Sequence, residues 1–181
     1  MDNWLAYPAF GATAISIICL SYLAIKGHER ENPRTLSIVA AASPTTLLYF
    51  RLVLWTCATL FAITMYGYVI PNIKFAGWQG LAWSITYIPE LILALLPAKG
   101  RTLRAHSLFA MVMGIGMLSS AWLFVFSVSA SLQVYLLAIA VIMSLMGLLT
   151  FIDKSRYIIY ELSFIYLAHI SIVLTVFSLM S

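Results

Sequence analysis

The feature that most constrains this chain is a series of six apolar runs, at about 4–25, 46–70, 77–97, 106–128, 132–152 and 157–179, separated by short polar breaks. A helix rises about 1.5 Å per residue and a bilayer's hydrocarbon core is about 30 Å thick, so roughly 20 residues cross it. Each run meets that length. Only 9% of the residues are charged, whereas soluble chains carry roughly 25%, so most of the surface must face lipid. A β-barrel would alternate apolar and polar residues along each strand, but stretches such as 91–96 and 135–149 are almost continuously apolar. The expected fold is therefore all-α: a polytopic membrane protein in which 1–181 form a single transmembrane domain, a six-helix bundle with short loops.

The formal net charge of +4 would on a soluble chain suggest nucleic acid. Here the placement of the charges matters more, and no nucleic-acid partner is expected. Lys26, Arg30, Arg34, Arg51, Lys99, Arg101, Arg104, Lys154 and Arg156 fall at one set of span ends, and Lys74 alone falls at the other. Cytoplasmic connections are enriched in Lys and Arg, so both termini are expected outside and three basic connections inside. The residues Met1-Asp2-Asn3 supply no basic start of the kind a signal peptide needs, so no cleavage is expected. The anticipated location is a membrane, with the bacterial cytoplasmic membrane as the setting.

The longest connection, 26–45, begins as a charged stretch from Gly27 to Arg34 and turns apolar at Leu36–Ala42. That apolar piece is too short to span. It either lies as a short interfacial or re-entrant helix stopped by Pro44 or packs as a plain loop. The remaining connections are short enough to make sequential helices antiparallel neighbours.

Three charged residues fall inside spans: Arg51, Glu90 and Glu161. Each costs on the order of 3 kcal/mol to place in lipid and so faces protein or water. Counted from the cytoplasmic ends, Arg51 lies about 7 Å deep, Glu161 about 6 Å and Glu90 about 10 Å, with His106, Asp153 and Arg104 just below. An Arg between two carboxylates satisfies several hydrogen bonds at once. The layer is expected to be a clamp in which Arg51 neutralises Glu90 or Glu161. The competing reading is a polar cavity, open to the cytoplasm, where a carboxylate exchanges protons or holds a cationic group. Pro89 favours the second, because it deprives the Ile85 carbonyl of its usual donor beside Glu90, as in the broken helices of transporters.

His169 is expected about 18 Å deep, near the midplane. A haem needs a second histidine at the same depth, but His106 is at the rim and His28 in a loop. Glu90, His106, Asp153 and Glu161 carry no local metal motif, and no serine has a nucleophile-elbow context. No catalytic residue and no metal site are assigned, and the sequence names no cofactor. Arg51, Glu90, His106, Glu161 and His169 remain as the candidate intramembrane binding cluster. Cys19 and Cys57, mid-span and far apart, are read as small packing residues.

Ala12-x-x-x-Ser16, Ala110-x-x-x-Gly114 and Gly116-x-x-x-Ser120 mark faces where helices approach closely. Trp4, Tyr7, Tyr66, Tyr68 and Trp78 fall where an aromatic belt would sit.

Leu36-Ser37 followed by Pro44, Ala105-His106 with Ala110, and Glu161 near the start of the last span together resemble the six-span DRAM-like (damage-regulated autophagy modulator) membrane proteins and their bacterial relatives. The resemblance covers the second to sixth spans loosely. It implies a six-helix bundle without an established enzymatic activity, in which His106 and Glu161 are shared positions, and it places the first loop outside where the charge count places it inside.

The function expected from these features is that of a non-enzymatic membrane subunit or modulator, packing against lipid and against other membrane subunits or copies of itself. The alternative is a small proton-coupled transporter or channel using Glu90 and Glu161. A third reading is an intramembrane enzyme acting on lipid.

Overall fold

A computed structural model describes residues 3–28, 35–153 and 156–181. Arg30, Arg34 and Lys154, on which part of the charge count rests, lie outside the described residues, as does most of the charged stretch of the first connection. Every regular element among the described residues is helical. Five segments are long and apolar enough to cross a membrane: Trp4–Gly27, Pro44–Asn72, Gly100–Val125, Ser131–Ile152 and Tyr157–Met180.

The chain opens with a 3-10 turn, Asn3–Ala6, and α1, Pro8–His28. Pro8 suits the first helical position because its missing N–H would be unpartnered there in any case. The next amide, that of Ala9, donates to Oγ1 of Thr64 at 3.1 Å and so pins the start of α1 to the second span. A short α2, Leu36–Ala40, follows, capped by Thr35 Oγ1, which accepts from the Ile38 amide. Of the two expectations for this stretch the short helix is the one present, but Pro44 does not stop it. Pro44 instead opens α3, Pro44–Thr64, at the first helical position behind the Ser43 cap. The second span continues through a π turn, Met65–Val69, into α4, Ile70–Asn72.

The expected third span is α5, Ala76–Leu95, with Pro89 inside it. It is not among the five segments apolar enough to count by composition alone. Gln79, Thr86 and Glu90 lower its mean hydropathy, and all three are buried. Its polar groups thus face protein. The chain ends with α6, Leu103–Val125, α7, Ala130–Ile152, and α8, Tyr157–Met180.

Packing follows a ring: α1 against α3, α3 against α5, α5 against α6, and α8 closing on α1. Helices α6 and α8 also touch directly, so α7 lies outside the ring, packed on both. The α5–α6 seam is close because Gly116 has no side chain. A Cβ there would sit 2.7 Å from the Thr86 amide nitrogen and 2.9 Å from the Ala82 carbonyl oxygen. Gly116-x-x-x-Ser120 is therefore an internal face, with both residues buried, whereas a Cβ on Gly114 would meet nothing within 4 Å. Trp4, Tyr7, Tyr66 and Trp78 are exposed, but Tyr68 is 5% exposed and belongs to the core. Tyr68 follows Phe61 by seven residues and so falls on the same buried face as Phe61 and Met65.

Candidate functional site

Three helices carry a stripe of residues toward a common axis. On α5 the stripe is Gln79, Trp83, Thr86 and Glu90, at steps of four, three and four that share one helical face. On α6 it is His106, Ala110, Met113, Met117 and Ser120, and on α8 it is Glu161, Ile165, His169 and Ile172. Between these stripes, α1 and α3 lies a cavity of about 50 Å³, lined by Glu90, Glu161, His106 and His169 together with Ser16, Ser37 and Cys57. The wall is mostly apolar, with these polar groups set into it, and the space has room for a few waters. Four of the five expected cluster residues therefore meet around one void.

Arg51 is the exception, and the expected clamp is not present. Its Nη2 donates to the Leu95 carbonyl at 3.1 Å, and its buried Nε has no partner among the described residues. Among the described residues it forms no ion pair with either carboxylate. The reason is azimuth. Phe50, Val53, Leu54 and Cys57 form the cavity face of α3, and Arg51 is turned about 100° from Phe50 around the helix.

The carboxylates differ in their surroundings. Glu161, half-buried near the start of α8, accepts a hydrogen bond through Oε2 from the Leu36 amide at 2.8 Å. Glu90 is 4% exposed and accepts no hydrogen bond among the described residues. The cavity wall includes no Lys or Arg among those residues. A lone charge buried in this way costs several kcal/mol, so Glu90 requires a proton or a cation whenever the cavity is dry.

The imidazoles also differ. His106 Nδ1 lies 2.7 Å from the Leu96 carbonyl oxygen. A carbonyl only accepts, so Nδ1 carries the hydrogen and Nε2 is left to the cavity as an acceptor. His169 is 4% exposed, its ring centroid 4.5 Å from that of Phe61, and neither ring nitrogen has a partner among the described residues. Cys57 Sγ donates to the Ala12 carbonyl at 3.5 Å.

No protein-family model, curated protein or solved structure matches this chain.

No group of three or more His, Cys, Asp or Glu among the described residues has the arrangement of a metal site. The chemistry on offer is proton exchange and the binding of small cations: two acids and two imidazoles around one void. Sequence reading missed Ser16, Ser37, Gln79 and Trp83 as parts of this axis. The spacing of Gln79, Trp83, Thr86 and Glu90 was the available signal.

Proposed function

We propose that this chain is a six-span integral membrane protein of the bacterial cytoplasmic membrane, with both termini outside, acting as a small proton-coupled transporter or channel. One observation carries the reading. Glu90 lines a cavity with a second carboxylate and two imidazoles, and among the described residues no cation or hydrogen-bond donor answers it. A carboxylate whose only role is structural is normally paired, because an unpaired one destabilises the fold that holds it. A carboxylate that works by changing its protonation is better left to water. Treating α5 as the sixth span follows from its 20 residues, its seams with α3 and α6 and the burial of its polar groups.

The test is infrared difference spectroscopy of the protein in lipid as pH is changed. The expected result is a reversible carboxylic-acid band in the wild type that is absent in Glu90→Gln. If the wild type and the variant give the same spectrum at every pH, Glu90 does not exchange protons and the transport reading fails.

The second reading is a membrane subunit or modulator. The observation favouring it is Gly114, which presents open space on the opposite side of α6 from the Gly116 seam. A small residue on a lipid-facing helix permits close approach of another helix.

A further inference from the structure

Beyond Glu90 and away from the Glu161 end, a second and smaller cavity of about 10 Å³ is lined by Trp83, Glu90, Ser120, His169 and Ser171 among others. It shares Glu90 and His169 with the first cavity, so these two side chains stand at the junction. The buried polar atoms around and beyond it lack partners in an unusual concentration. Among the described residues, His169 Nδ1, Ser120 Oγ, Trp83 Nε1 and both amide atoms of Gln79 find no hydrogen-bond partner. Buried polar groups are normally satisfied, and leaving one unsatisfied costs about 1–3 kcal/mol. A cluster of them on one axis is explained by water. Gln79 sits one turn beyond Trp83, toward the start of α5, about 6 Å further along the helix.

We infer that the two cavities form a single proton-conducting passage through the bundle, with Glu90 and His169 as the relay between its halves. The inference rests on the proposed transport reading and names its substrate as the proton. Size makes that choice. The outer cavity has room for a single water, too little for a hydrated sodium or potassium ion, whereas a proton needs only a chain of donors and acceptors. In the relay step the O–H bond of the Glu90 carboxylic acid breaks and an N–H bond forms at the free imidazole nitrogen of His169. The opposite ring nitrogen then releases its hydrogen to water beside Ser120. Glu90 is reprotonated from the side of Glu161 and His106, and His169 returns to its starting tautomer by ring reorientation, so no charge accumulates on the protein. The ionisable groups facing the junction are Glu161 of α8, His106 of α6 and Cys57 of α3. Among the described residues lining either cavity there is no fixed cation to block the passage.

Proteoliposomes containing a pH-sensitive dye, with a potassium diffusion potential set by valinomycin, test the passage. The wild type should acidify the lumen faster than protein-free vesicles, with a rate unchanged when sodium replaces the external cation. His169→Gln keeps a polar side chain but cannot take up a proton, and should slow the flux at least tenfold. Ser120→Val, which fills the outer cavity without touching the inner one, should slow it comparably and decides the matter if His169→Gln does not fold. Flux in both folded variants equal to wild type would overturn the passage, as would a wild type no faster than empty vesicles. The Glu90 infrared band is read separately, so its presence without flux sinks the passage alone.

Discussion

The backbone amide of Leu36 donates to Oε2 of Glu161 at 2.8 Å, joining α2 to the start of α8 across 125 residues of chain. Leu36 and Ser37 also line the inner cavity, so this bond, together with the packing of α2 on α1 and α3, sets the short helix at one end of the polar axis. Gly27 makes the fit possible on the other side: a Cβ there would lie 2.6 Å from Val39 Cγ2.

The role of that bond is measurable. Glu161→Gln retains a carbonyl oxygen to accept from Leu36 and should keep α2 in place, with a melting temperature close to wild type. Glu161→Leu leaves the Leu36 N–H without an acceptor and should cost about 1–3 kcal/mol. Hydrogen exchange at Leu36 and Ser37 should accelerate in the leucine variant only. Equal exchange in the two variants would show that α2 is held by its apolar contacts instead.

Arg51 provides a contrasting case. Because its guanidinium bonds the Leu95 carbonyl and neither carboxylate, Arg51→Ala should lose one charged hydrogen bond, worth about 1.5–3 kcal/mol. Combining it with Glu90→Gln should give an effect that adds, with a coupling below about 0.5 kcal/mol. Chemical denaturation of the two single variants and the double variant measures this. A double variant markedly more stable than the sum would restore the clamp.

These two residues show what the sequence made legible and what it withheld. Charge and apolar length gave Glu90, Glu161 and Arg51 as intramembrane groups and put them at one depth, because depth depends only on counting along a helix. Their facing depends on rotation about the helix and on which helix lies opposite. For Arg51 the depth agreement said nothing about azimuth, and it points away from the void that Phe50 and Cys57 face. Gln79 and Trp83 were passed over because an uncharged residue in an apolar run draws no notice until its period is compared with that of Glu90. The π turn at Met65–Val69 had no sequence mark, whereas the burial of Tyr68, expected in the belt, was legible in its spacing of seven from Phe61 on the buried face.

Orientation is tested by labelling. On a background with Cys19 and Cys57 replaced, single cysteines at Asn72 and Ser129 should react with an impermeant maleimide from outside in intact cells. One at Gly100 should react only after the membrane is opened. The reverse pattern would invert the bundle, turn the Glu161 end of the cavity outward and agree with the loop placement that the family resemblance implies.

The last prediction separates the two faces of α6. At Gly116 an added methyl group meets backbone atoms of α5 at Ala82 and Thr86, which cannot swing aside as a side chain would. Gly116→Ala should therefore force α5 and α6 apart, at about 1–3 kcal/mol as overpacking usually costs. It should also reshape both cavities, since Glu90 and Trp83 ride on the displaced helix. At Gly114 the same substitution meets open space, and alanine favours the helix over glycine by about 1 kcal/mol. Gly114→Ala should then be neutral or slightly stabilising in a monomer. If the Gly114 face instead docks against another subunit, Gly114→Leu should leave the monomer folded while shifting the detergent-solubilised protein to a smaller mass by light scattering. An unchanged mass with an unchanged melting temperature would leave that face to lipid and remove the observation on which the subunit reading depends.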